Sequence, residues 1–319
     1  MNYLIITLLL VLALLTYFKI AKRFNIVDVP NHRSSHTEVT VRGGGIIFPL
    51  SIIFCGLLFQ DVDLVLLIAL TLISAISFAD DVRPLPAFLR LAVHLLSVLM
   101  AVYALQVHLQ WPLWGVALAC VFMISGINAF NFMDGINGIT ATYSVITLLT
   151  FWYINSFVIR FADDPLLVCP LIACIIFLFF NFRQRALCFA GDVGSIGIAF
   201  WLGALSVMLI IHSHNLKYLF VFSIYGSDVL FTIIKRIKLK QNLAQPHRLH
   251  LYQLLVNHAG YPHRVVAICY TLAQLTINGF LLLTNFSMGI YALLLLSICA
   301  AVYIHFERRY RTLSTVSQS

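Results

Sequence analysis

Charge is what this chain has least of. Only 10% of its 319 residues are Asp, Glu, Lys or Arg, against 61% hydrophobic. So few charges do not cover a water-soluble domain, which leaves an all-α, polytopic integral membrane protein. The net charge of +8 forms no basic face or tail, so the expected partner is the lipid bilayer, with no nucleic acid. CxxC pairs are missing too. The seven cysteines, an odd number set in or beside apolar runs, outline neither a disulfide framework nor a zinc site. No cleavage signature follows the first apolar run, Tyr3 to Phe18. Lys19, Lys22 and Arg23 follow instead, and the run reads as a retained first span. Repeats, low-complexity segments and long linkers are absent, so residues 1–319 are expected to form a single transmembrane domain.

What is present is a series of apolar runs, near 2–18, 44–60, 64–79, 91–107, 112–131, 139–159, 165–182, 194–211, 218–234, 265–284 and 289–305. They predict about eleven transmembrane helices (ten to eleven). With the N-terminus outside, segments 19–43, 80–90, 132–138, 183–193 and 235–264 and the tail from 306 lie inside. That register gathers 18 of the 20 Lys and Arg on the inner side, leaving Arg160 and Lys217 outside, as the positive-inside rule requires.

The densest polar stretch runs from Ser125 to Ile139. Within it Asn128, Asn131, Asp134 and Asn137 recur at three-residue steps, drifting by about 60° around a helix at each step. Gly135 and Gly138 permit a turn. Polar groups at a membrane boundary are costly unless something uses them, and interhelical hydrogen bonding is one such use. Asp80 and Asp81 close the third run, at the end of a helix that disfavours negative charge. Asp192, between Gly191 and Gly194-Ser195, opens a helix either as an N-cap or as part of a phosphate-binding turn. The segment Asp28 to Gly45 places Arg33, Arg42 and hydroxyl side chains ahead of three glycines. It suits a bound anion, or else a headgroup anchor together with a close-packed helix start. Asp228 lies within the ninth run, where a carboxylate pairs with a base or faces a polar cavity. His247, Arg248 and His250 form a donor cluster suited to a pyrophosphate, or a snorkelling interfacial set.

Of the twelve acidic residues, Asp80, Asp81, Asp134 and Asp192 reach the inner boundary in three separate motifs. Carboxylates converging beside bases suit Mg²⁺, which takes one or two of them and completes its shell with substrate phosphates. The combination reads as a metal-assisted phosphoryl-transfer site on the cytoplasmic side of the bilayer, acting on a lipid.

Four of these motifs, Asp80-Asp81, Asn128 to Ile139, Phe189 to Ser195 and His247 to His250, resemble the polyprenyl-phosphate N-acetylhexosamine-1-phosphate transferases (glycosyltransferase family 4). Within that family the chain resembles the bacterial O-antigen-initiating branch. The resemblance implies transfer of a HexNAc-1-phosphate from a UDP-HexNAc to undecaprenyl phosphate, with release of UMP. The expected sugar is N-acetylfucosamine, N-acetylquinovosamine or similar, with UDP-GlcNAc as the alternative donor. It further implies a bacterial inner-membrane protein with a periplasmic N-terminus, a cytoplasmic C-terminus and a cytoplasmic site.

Residue by residue, the resemblance implies Mg²⁺ ligands at Asn131 and Asp192, with Mn²⁺ as an alternative ion. Asp80 and Asp81 match a pair assigned to lipid-phosphate deprotonation or to metal and phosphate positioning, and Asp134 is grouped with them as catalytic. Asn137 and Phe189 match uracil-contacting positions, and Arg248 and His250 match a pyrophosphate-binding loop. Asn128, Arg33 and Arg42 complete the substrate-binding set, and a homodimer is an open oligomeric option. Two departures stand out: His250-Leu-Tyr-Gln253 replaces a His-x-His-His run, and Asn137 replaces an Asp. Readings of other classes are a transporter or lipid flippase using Asp228, and a membrane scaffold.

Overall fold

The computed structural model describes residues 2–29, 38–60, 62–243, 245, 247–284 and 286–316. Every predicted apolar run lies on a helix. In order these are α1 (Asn2–Arg23), α2 (Ile47–Phe59), α3 (Leu64–Val82), α4 (Ala87–Ala104), the short α5 (Val107–Gln110), α6 (Leu113–Met133) and α7 (Ile139–Phe157). There follow α8 (Asp164–Asn181), α9 (Gly191–Ser213), α10 (Ser223–Lys238), the short α11 (Leu251–Asn257), α12 (His263–Leu283) and α13 (Met288–Val316). Two short strands, β1 (Val27–Asp28) and β2 (Thr40–Val41), pair antiparallel with Val27 opposite Val41. The protein is therefore all-α and polytopic.

Among the described residues, nine helical segments are long and apolar enough to cross a membrane. The apolar segment Gly44–Phe59 is shorter, and α7 falls outside the nine because it carries its own polar face. That face is matched. Tyr143 donates to Gln274 Oε1 at 2.6 Å, Asn278 Nδ2 to Thr150 Oγ1 at 2.9 Å, and Thr271 to Thr142 at 2.8 Å, so α7 and α12 are held by hydrogen bonds across the bundle. In an apolar surrounding such pairs hold helices together where the hydrophobic effect cannot.

Helix α9 is apolar on every side and buried along nearly its whole length, which makes it the axis of the bundle. Its N-terminal turn receives the segment that carries the three glycines. The Gly44 and Gly45 N–H groups donate to the Phe189 and Ala190 carbonyls at 2.8 and 3.0 Å. A Cβ on Gly45 would lie 2.5 Å from the Gly194 Cα, so the two backbones touch with no room for a side chain. The glycines of this segment form the close-packed helix start.

The helices run further than the apolar runs. The predicted loop 80–90 is helical to Val82 and again from Ala87, so Asp80 and Asp81 occupy the last turn of α3. Likewise 235–264 contains the end of α10, all of α11 and the start of α12. Hydropathy marks where side chains turn polar, but a helix continues while those side chains find partners.

Candidate active site

The C-terminal turns of α3 and α6, the N-terminal turn of α9 and the start of α4 meet at one end of the bundle. Asp81 shows how they are joined. Its Oδ1 accepts the Asp192 N–H at 2.9 Å and its Oδ2 the Val193 N–H at 3.0 Å. It thereby occupies, from another helix, the place of an N-cap. Gly191 makes this approach possible: it has φ +72°, and a Cβ there would lie 2.5 Å from Asp81 Oδ2. Asp192 itself stands in the first turn and does not cap its own helix, whose N-cap is Ala190. The unfavourable position of Asp81 on α3 is thus offset by the positive end of α9.

Two arginines thread through three carboxylates. Arg42 Nε donates to Asp81 Oδ1 at 2.7 Å, and its Nη2 lies 3.6 Å from Asp192 Oδ1. Arg90 Nη1 donates to Asp80 Oδ2 at 2.6 Å and lies 3.7 Å from Asp192 Oδ2. Asp80 also accepts the Leu85 N–H at 2.6 Å. Exposure separates the three carboxylates. The Asp81 side chain is 0% accessible and Asp80 9%, while Asp192 is 18% accessible and holds both arginines only at long range. Asp192 is the carboxylate with capacity left for a ligand.

Asn131 Nδ2 lies 3.1 Å from Asp192 Oδ1 and 3.3 Å from Ser195 Oγ. An amide presents nitrogen or oxygen after a half-turn of its end, so Asn131 is placed to share an ion with Asp192. Among the described residues, no three or more His, Cys, Asp or Glu side chains form a closed metal cage. One open carboxylate plus an amide oxygen suits a hard cation that draws its remaining oxygens from substrate and water. Mg²⁺ fits that donor set.

Asp134 follows α6 directly and accepts from the Thr140 hydroxyl at 2.6 Å. Burial pushes its carboxyl up to about 7; the Thr140 hydrogen bond opposes this and the charges of Asp192 and Asp81 add to it.

Beside the carboxylates opens a cleft of about 410 Å³. Asn137 and Phe189 both line it, with Arg183, Arg185, His263 and Arg264 around them. Asn137 is fixed by its Nδ2, which donates to the Arg183 carbonyl at 2.9 Å. An aromatic ring, an anchored amide and a basic rim in one cleft suit a base with phosphates attached.

A family model described as glycosyl transferase family 4 matches residues 64–210. Over that stretch the chain is similar to glycosyl transferase family 4. Among curated proteins, the chain is 28% identical to a decaprenyl-phosphate N-acetylglucosaminephosphotransferase of Mycolicibacterium smegmatis, over 79% of this chain and 75% of that protein. It is 25% identical to a probable undecaprenyl-phosphate N-acetylglucosaminyl 1-phosphate transferase of Bacillus subtilis, over 82% and 78% of the two. A phospho-N-acetylmuramoyl-pentapeptide-transferase of Fervidobacterium nodosum is 25% identical over 63% and 68%.

Of the residues singled out in the sequence, Asp80, Asp81, Asp192, Asn131 and Arg42 form one cluster, with Asp134 at its edge. Asn137 and Phe189 share the adjoining cleft. Asn128 stays apart: it is exposed and donates back to the Ile124 carbonyl of its own helix at 2.8 Å. Arg33 lies outside the described residues. His250 sits with its ring 6.2 Å from that of Phe132, next in sequence to Asn131, and Arg248 stands two residues before it. Arg90, Ser195 and the arginines of the cleft were not singled out. Arg90 carried a faint signal, a lone base one turn into a helix that opens beside the Asp pair.

Proposed function

We propose that this chain transfers a HexNAc-1-phosphate from a UDP-HexNAc to a polyprenyl phosphate, undecaprenyl phosphate in a bacterial inner membrane, at a cytoplasmic-facing site. The relatives named above support the polyprenyl-phosphate acceptor and the N-acetylhexosamine phosphate. The observation that carries the reading is Asp192, the most accessible carboxylate of its cluster, flanked by Arg42 and Arg90 and beside the cleft of Asn137 and Phe189.

In this reading an oxygen of the lipid phosphate attacks the β-phosphorus of the nucleotide sugar. A new P–O bond forms, the bond to the bridging oxygen breaks, and UMP leaves with that oxygen. Asp192 and Asn131 would hold Mg²⁺, which supplies charge neutralisation at the phosphates. Arg42 and Arg90 neutralise incoming phosphate charge and keep the carboxylates from repelling it. Phe189 and Asn137 hold the uracil, and Asp81 fixes the start of α9. Since a phosphate monoester already ionises near neutral pH, and Asp81 accepts three hydrogen bonds while fully enclosed, no carboxylate base is required.

The first step of an O-antigen or similar surface polysaccharide is the expected place of this reaction. The donor is either a 6-deoxy sugar such as N-acetylfucosamine or N-acetylquinovosamine, or the N-acetylglucosamine that the relatives' names carry. Incubating the purified protein with undecaprenyl phosphate, Mg²⁺ and a panel of UDP-HexNAc donors tests the proposal. UMP release that requires the lipid supports it and the best donor names the sugar. Lipid-independent release contradicts it.

A further inference from the structure

The site as described makes no use of Asp228. This carboxylate lies in α10 and is 4% exposed, and from sequence alone it is the residue that favours an ion path. The fold encloses it instead. Its Oδ1 accepts from His250 Nδ1 at 3.1 Å, the Leu251 N–H at 3.0 Å and the Thr232 hydroxyl at 3.2 Å. Its Oδ2 accepts from the Tyr270 hydroxyl at 2.6 Å and the Tyr252 N–H at 3.4 Å. Five donors meet two oxygens, which leaves no room for a passing ion.

The consequence falls on His250. The Gln253 N–H also approaches the His250 ring in a capping box at the start of α11, but an ionised carboxylate only accepts, so the pairing with Asp228 puts the hydrogen on Nδ1. The other ring nitrogen, Nε2, has no hydrogen-bond partner among the described residues although His250 is 3% exposed. A buried polar atom in that condition calls for a partner. Its surroundings say which. The Tyr252 hydroxyl donates to the Phe132 carbonyl at 2.9 Å, and a Cβ on Gly135 would lie 2.2 Å from that hydroxyl. The His250 loop is thus pressed onto the end of α6, where Asn131 reaches Asp192.

We infer that Asp228 is a positioning residue for His250. It fixes the ring orientation and the Nδ1–H tautomer so that Nε2 meets the pyrophosphate of the nucleotide sugar, an inference that rests on the transferase reading above. A phosphate oxygen accepts only from a protonated Nε2, and Asp228 balances the charge that ring then carries. Tyr270 and Thr232 complete the shell of the carboxylate, as outer partners do for other functional histidines.

Nitrogen-15 NMR of the full chain labelled at histidine tests this, with His250 assigned by comparison with His250→Gln. The free protein is expected to show Nδ1–H at His250, and added UDP is expected to shift Nε2 to a protonated nitrogen. Asp228→Asn should lose the tautomer and weaken UDP binding by about 10- to 100-fold. The double variant should bind no more weakly than His250→Gln alone. Hydrogen on Nε2 with bare Nδ1 in the free protein, or additive losses in the double variant, would overturn the inference. Should Asp228→Asn not fold, the wild-type tautomer and its response to UDP decide by themselves. UMP release measured alongside separates the two readings. A His250 that responds to UDP in a protein releasing no UMP from any donor removes the transferase and keeps the Asp228–His250 pair. UMP release with a His250 blind to UDP removes the pair alone.

Discussion

Asp81 closes the N-terminus of the helix that presents Asp192: one side chain, 111 positions earlier in the chain, accepts the Asp192 N–H at 2.9 Å. The adjacent Asp80 turns the other way, to Arg90 at 2.6 Å. A pair contiguous in sequence is therefore divided in function. Asp81 caps α9 and meets Arg42, while Asp80 holds the Leu85 N–H and meets Arg90. Substituting Asp81 with Asn removes its charge-assisted bond to Arg42 and weakens the cap. We expect a loss of about 0.5–2 kcal/mol, the range for a lost helix cap, seen as a lower Tm in detergent, together with reduced transfer. Unchanged Tm with abolished transfer would instead mark Asp81 as a group that touches substrate.

The contact between Gly45 and Gly194 predicts a packing cost without any chemistry. In Gly194→Ala the new methyl would lie 2.7 Å from the Gly45 Cα and 2.9 Å from the Ala190 Cβ. Backbone must move, at about 1–3 kcal/mol for an overpacked site. Thermal unfolding of Gly194→Ala checks this, and a Tm equal to wild type would show that the two segments are not in contact.

Arg90→Ala should leave the fold intact and raise the KM for the lipid phosphate or the nucleotide sugar. A charge-assisted hydrogen bond is worth about 1.5–3 kcal/mol, so kcat/KM is expected to fall by tenfold or more. Steady-state UMP release with each substrate varied in turn identifies which phosphate Arg90 meets.

How much of this was legible in the sequence follows from distance along the chain. Helix existence was, because hydrophobic runs need no partner to be recognised. Helix ends were not: Asp80 and Asp81 look like loop residues until α9 supplies the N–H groups that receive them. The three-residue spacing of Asn128, Asn131, Asp134 and Asn137 suggested one set. With about 60° of drift per step, Asn128 leaves the face that Asn131 shares with Asp192, and the turn after Met133 sends Asn137 into a different cleft. Asp228 was visible as an anomaly, but apart from Thr232 of its own helix its donors come from α11, the residue that opens it and α12, far downstream. Arg183, Arg185 and Arg264 read as topology signals, and only the fold brings them around Asn137.

The His247 ring is neutral in the folded protein. Burial lowers it to about 4, and the neighbouring His250 and Arg236 act in the same direction. The unfolded chain takes up a proton near pH 6.5, so the unfolded state binds more protons between those values. Stability from this residue is full above pH 6.5 and is lost as pH falls towards 4. In His247→Gln the decline of Tm over that window should be shallower than in wild type. Parallel curves would show that His247 is solvated and titrates normally.

The proposed metal-assisted transfer turns on Asp192. UMP release from the best donor, with undecaprenyl phosphate, should fall to background when EDTA is added and recover with Mg²⁺. Asp192→Asn, folded and inserted in the membrane, should stay at background at every Mg²⁺ concentration. An Asp192→Asn protein that releases UMP at the wild-type rate would remove Asp192 from the metal site.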